Sequence, residues 1–123
     1  MAIMHTTIFT DEEMERGREK LRRAHAWRAK NPRAWRYVIR CALNAAKNGR
    51  RVGGQELVEA VRAHEFTDED GRPTTTNNDY APIFARWLVA QFPQLDPLIE
   101  RRVSVFDVLM RPLFEKGADH DEQ

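Results

Sequence analysis

The chain has one cysteine, one serine and no apolar run long enough to cross a bilayer, and each scarcity excludes something. A single thiol, Cys41, closes off an internal disulfide and a cysteine-built metal site. Set between Arg40 and Ala42 in an apolar-periodic segment, it reads as a small buried hydrophobe. Ser104 has no glycine elbow around it, so a serine nucleophile lacks its setting. The histidines (His5, His25, His64, His120) are scattered, with no pair at i,i+3 or i,i+4 and no carboxylates at ligand spacing. Carboxylates are densest at His64-Glu65-x-x-Asp68-Glu69-Asp70, which lacks the alternating spacing of a calcium loop and reads as an acidic loop. Gly53-Gly54 is a turn or cap, not a phosphate-binding glycine loop. These gaps predict a protein that is not an enzyme, with no metal and no cofactor. The start, Met1 to Phe9, lacks a basic leader and a long apolar stretch, which predicts no signal peptide. A soluble protein of a reducing cytoplasm is expected, without membrane contact.

What the chain has in abundance is positive charge in one place. Its 123 residues carry a net charge of only +1, yet Arg16 to Arg51 holds thirteen Arg and Lys against one acid, Glu19. Acids dominate on both sides of that stretch: four in the first fifteen residues, and fourteen against seven bases from Val52 onward. Such asymmetry predicts a polyanionic partner, nucleic acid first. Two other accounts stay open. The basic stretch can pack against the acidic half of its own chain or of a second copy, as a homodimer, or it can dock on another protein.

The length predicts one domain. Thr10-Asp-Glu-Glu13 has the form of a capping box and opens a first helix over about Asp11–Lys30, with an apolar stripe of Met14, Gly17, Leu21, Ala24 and Trp27. Asn31-Pro32 ends it and starts the next, Asn31 as cap and Pro32 at the first helical position. In that second helix Trp35, Val38, Ile39, Ala42, Leu43 and Ala46 form the apolar stripe. Arg33, Arg36, Arg40, Asn44 and Lys47 fall opposite as a basic ridge, closed by Asn48-Gly49 as C-cap. A third helix is expected over Gln55–His64, then an exposed polar loop from Phe66 to Thr76. A fourth runs to Phe92, capped by Asp79 because Pro82 must lie in the first turn. Asp96-Pro97 restarts a short helix, and Arg101–Asp107 is ambiguous. Val103 and Val105 alternate like a strand, while Ser104-x-x-Asp107 looks like a helix start. The fold class expected is mainly α: an N-terminal arm (1–9), a four- to five-helix domain (10–114) and a disordered tail (115–123). A β-ribbon near 101–106 would make it resemble a winged helix-turn-helix, whose third element, Asp79–Phe92, enters a groove. On that reading Thr74–Asn78 faces phosphates or base edges; otherwise it is loop and cap.

Asn77-Asn78-x-Tyr80-Ala81-Pro82-x-x-Ala85-Arg86-x-Leu88, then Phe92-Pro93 and Ile99-Glu100-x-Arg102, resembles small proteins encoded by tailed phages and prophages. Gly49-Arg50 matches the upstream helix end of that type, while Gln91-Phe92-Pro93-Gln94 replaces its usual His-Pro-Glu turn. The resemblance covers about Trp35–Asp107 and implies a mobile-element origin and a host-cell cytoplasm, with no assigned activity. It singles out Asn77, Asn78, Ala85 and Arg86. The expected function is a phage accessory protein binding nucleic acid, DNA before RNA, with a regulatory role. The expected contacts are Arg22, Arg33, Arg36, Arg40, Lys47, Arg50, Arg51, Asn77, Asn78 and Arg86. The alternative is an anti-defence module that uses the same surface to dock on and inhibit a host protein.

Overall fold

A computed structural model describes residues 9–115. Nearly all of the expected arm, and the tail from 116 on, lie outside the described residues. Helix α1 (Asp11–Lys30) starts on the expected box: the Glu13 N–H donates to Thr10 Oγ1 at 3.0 Å and the Thr10 N–H donates to Glu13 Oε1 at 2.8 Å. Two of the amides left bare by a helix start are thereby satisfied within four residues. Gly17, Ala24 and Trp27 are its buried positions. At Gly17 a Cβ would sit 2.8 and 2.9 Å from Leu109 and Val105, so the missing side chain is what lets the C-terminal segment lie against α1.

Helix α2 (Pro32–Lys47) begins on Pro32 as expected. Asn31, however, does not cap it through its side chain. It is buried, donating to the Trp27 carbonyl at 2.8 Å and accepting from the Thr74 hydroxyl at 2.6 Å. At the other end Gly49 (φ +70) closes a Schellman turn, its N–H on the Ala46 carbonyl and that of Arg50 on the Ala45 carbonyl. Strand β1 (Val52–Gly53) and helix α3 (Gly54–His64) follow. A 3-10 turn (Asn78–Tyr80) then leads into α4 (Ala81–Gln91), capped by the Asn77 side chain on the Asp79 N–H at 2.8 Å, where Asp79 was the expected cap. A second 3-10 segment (Pro93–Leu98), strand β2 (Ile99–Glu100) and a short α5 (Phe106–Leu109) complete the named elements.

The fold is mainly α with one small sheet, and α4 is its centre. Ala81 and every residue from Ile83 to Val89 are buried. Phe84 packs against Trp27 (5.2 Å between centroids) and Trp35 (5.4 Å), and Trp87 meets Trp35 edge-on at 5.4 Å. Gly54 admits α3 to this core, since a Cβ there would lie 2.0 Å from the Ala81 carbonyl oxygen. This geometry corrects the winged reading in two respects. A helix buried on all sides cannot enter a groove. The expected ribbon at 101–106 is extended coil and then helix, with Val103 76% exposed and α5 started by the Ser104 hydroxyl on the Phe106 N–H. The strand that does form lies at Ile99–Glu100 and pairs in parallel with Val52–Gly53, so it makes no hairpin wing.

Candidate nucleic-acid interface

The thirteen basic residues from Arg16 to Arg51 meet three different fates. Seven find carboxylates. Glu15 takes Arg18, Glu19 takes both Arg22 and Arg23, and Asp79 takes Lys20. Lys30 meets Asp70 at 2.8 Å, Arg50 meets Glu56 at 2.8 Å, and Arg51 lies 3.6 Å from Glu100. All are exposed pairs screened by solvent, so they cancel field more than they lock geometry. Arg28 goes another way. Its guanidinium lies 4.7 Å from the Trp87 ring and 5.1 Å from Trp35, and burial holds its pKa below the ordinary value.

The remaining five are Arg16 on α1 and Arg33, Arg36, Arg40 and Lys47 on α2. None of these has an acidic group within ion-pair distance among the described residues. The α2 four share one exposed face with Asn44 because their spacings of three, four and seven return to the same side of a helix. From Arg33 to Lys47 that face is about 21 Å long at 1.5 Å per residue. Glu15 and Glu19 within α1, together with Asp79, Asp70, Glu56 and Glu100 from the acidic half, therefore answer most of the charge on α1 and all of that on the turn after α2, and leave the ridge bare.

Each edge of the ridge carries apolar groups. On one side half-buried Ile39 and Leu43 join Arg36, Arg40, Asn44 and Lys47 around an open groove of about 520 Å³. On the other stand three rings. Tyr37 lies 4.6 Å from His64 and 5.3 Å from Phe66, and His64 stacks on Phe66 at 4.3 Å with 13° between planes. Cys41, expected to be a buried hydrophobe, is only half-buried beside Tyr37 and holds the tyrosine hydroxyl above its ordinary pKa.

Comparison with protein-family models, with curated proteins and with solved structures finds no match to this chain.

The expected site residues separate cleanly. Arg33, Arg36, Arg40 and Lys47 are brought together and unpaired; Arg22, Arg50 and Arg51 are exposed but locally neutralised. Asn77 and Asn78 are cap and tether, Asn78 accepting from Gln55 at 3.1 Å. The loop before them is pinned from behind. The Trp27 indole donates to the Thr75 carbonyl at 2.9 Å, and Arg62 donates to that of Thr76 at 2.7 and 3.1 Å. Arg86 must be removed from the contact set. It is 2% exposed, donating to Asp107 Oδ1 at 2.8 Å and to the carbonyls of Pro82 (2.9 Å) and Arg102 (2.8 Å). Beside Asp107 these bonds outweigh burial: burial pushes its carboxyl up, but the Arg86 guanidinium and the Ser104 N–H hold it below the ordinary range. Sequence reasoning missed the grouping of Tyr37, His64 and Phe66. The one available signal was Phe66, a large apolar residue opening an otherwise polar loop.

Proposed function

We propose that this is a non-enzymatic nucleic-acid-binding protein, of the phage accessory type its motifs resemble, that engages the phosphate backbone through the exposed face of α2. One observation carries the reading: four basic side chains on one helix face have no internal counter-charge among the described residues, although the chain as a whole is nearly neutral. Holding like charges side by side is unfavourable unless an anion arrives, and a phosphate chain supplies anions in a row. Four phosphate contacts correspond to a log–log salt slope of about −3.6 on duplex and about −2.8 on a single strand. The test is fluorescence anisotropy with labelled duplex and single-stranded oligonucleotides over a salt series. The comparison is wild type against Arg33→Glu/Arg36→Glu/Arg40→Glu, whose slope should fall to about −1. No binding by the wild type at low salt ends the proposal, and an unchanged slope in the triple variant clears α2 of any part in it.

The second reading, a module that docks on and inhibits a host protein such as a defence-system component, draws on the groove beside Ile39 and Leu43. An acidic amphipathic segment would satisfy both the ridge and the groove. Pull-down from nuclease-treated host lysate should then retain a stoichiometric partner that Leu43→Ser releases. Recovery of nothing, or of a partner indifferent to Leu43, counts against it.

A further inference from the structure

The ring cluster on the flank of α2 sharpens the class of nucleic acid, an inference that rests on the backbone-binding reading of the ridge. Tyr37 stands one helical turn from both Arg33 and Arg40, so its ring borders the ridge directly. His64 is exposed, while Tyr37 and Phe66 are each half-buried against it. Tyr37 comes from a part of the chain distant from the other two rings, and a backbone feature joins those two. Glu65 ends α3 in the left-handed region (φ 58), the only non-glycine residue with positive φ among the described residues. That conformation costs an ordinary side chain free energy. It reverses the chain between His64 and Phe66, so that Phe66 returns onto the histidine ring at 4.3 Å. Phe66 is then held by the Thr74 N–H on its carbonyl at 2.8 Å and by the bridge of Thr67 to Pro73. The result is a fixed aromatic surface, partly open to solvent, beside a row of unpaired cations.

Phosphate contacts alone do not distinguish a duplex from a single strand in any strong way. A ring platform does, because the base faces of a duplex are already stacked on one another and only an unpaired base has a face to offer. We propose that the α2 face takes single-stranded nucleic acid, with its phosphates on Arg33, Arg36, Arg40 and Lys47 and an unpaired base laid on the ring cluster formed by the stacked His64 and Phe66 and the tilted Tyr37. Stacking makes no use of base edges, so the contact is expected to tolerate many sequences.

The experiment uses the full chain with three labelled probes of about 20 nucleotides, a thymidine homopolymer, a uridine homopolymer and a mixed-sequence duplex, at low salt and over a salt series. His64→Ala is the first variant, since an exposed side chain can be removed without unfolding the protein. Tyr37→Leu, which keeps apolar volume against α3, is the second. The expected result is at least about tenfold tighter binding of a homopolymer than of the duplex, and about tenfold weaker single-strand binding in each variant, the loss of one base–ring stack. The salt slope of both variants should stay that of the wild type, because no phosphate contact is lost, and their duplex binding should not move. A preference between the two homopolymers assigns the strand as DNA or RNA within the same proposal. Duplex binding as tight as single-strand binding, or folded variants that bind single strands like the wild type, overturns the stacking inference and leaves the phosphate ridge standing. Failure to bind any of the three probes overturns both readings together.

Discussion

Replacing Arg86 by methionine should cost stability rather than binding, and the bonds around it set the amount. Methionine keeps the apolar stem inside α4 but withdraws donors from Asp107 Oδ1 and from the carbonyls of Pro82 and Arg102. The Arg86 side chain is 3% exposed and that of Asp107 is 47% exposed, so the pair is lopsided. Water can take over at Asp107, which also keeps the Ser104 N–H at 2.8 Å, but cannot readily reach the acceptors facing the guanidinium. Breaking a fully buried pair costs about 3–5 kcal/mol, and the half-open carboxylate moves the expectation to about 3 kcal/mol. Against a total of about 5–15 kcal/mol for a domain, that is a large loss, equivalent to a melting shift of roughly 10 °C. Urea unfolding followed by tryptophan fluorescence is a suitable assay, because Trp27, Trp35 and Trp87 are all buried. Asp107→Ala strands the buried cation and should cost a similar amount. The double variant should lose less than the sum by about 1–2 kcal/mol, since the two side chains act as a unit. Oligonucleotide binding by folded Arg86→Met protein should equal that of the wild type. A stability loss under about 1 kcal/mol, or lost binding with intact stability, would refute this account of Arg86.

Gly54→Ala puts a Cβ 2.0 Å from the Ala81 carbonyl oxygen, so α3 and α4 must separate; a loss of about 3 kcal/mol or more is expected in the same urea assay. Thr10→Ala removes half of the capping box and should cost about 1 kcal/mol, with faster hydrogen exchange at the Glu13 amide while the amides past mid-helix in α1 stay protected. Asp107 titrates below its ordinary value near 3.8 in the folded protein. Its contribution is therefore complete above that value and disappears as pH falls through the lower folded pKa. Stability measured from pH 5 downward should decline, and Asp107→Asn, less stable above that pH, should decline less steeply and approach the wild type as the carboxyl protonates. Arg33→Glu/Arg36→Glu/Arg40→Glu breaks no ion pair and should change stability by no more than about 0.5 kcal/mol per site, so loss of binding in that variant is not loss of fold.

Helix boundaries were legible because the groups that fix them lie close together in the chain. Thr10 and Glu13 complete one another's bonds, Pro32 starts α2, and Asn48-Gly49 ends it within three residues of its last turn. The ridge was legible for the same reason, since α-helical spacing alone puts Arg33, Arg36, Arg40 and Lys47 on one face. The strand near 101–106 was misplaced because a two-residue strand has no periodicity to detect. What makes Ile99–Glu100 a strand is Val52–Gly53, far away in sequence. Arg86 was misread because an arginine in a motif with asparagines looks available until its surroundings are known. The acceptors that hold it include Arg102 and Asp107, well beyond the end of its own helix.

Charge shows the division most clearly. The amino-acid order alone determined where positive charge accumulates and which residues share a helix face, because both depend on spacing of a few residues. Only the tertiary structure decided which charges remain uncancelled, because the carboxylates that answer Lys20, Lys30 and Arg51 come from Asp79, Asp70 and Glu100 on other elements. The same long-range packing brought Tyr37 of α2 against His64 and Phe66 at the end of α3. A Coulomb interaction and a ring contact both depend on distance in space, and separation along the chain carries that distance only inside a single helix.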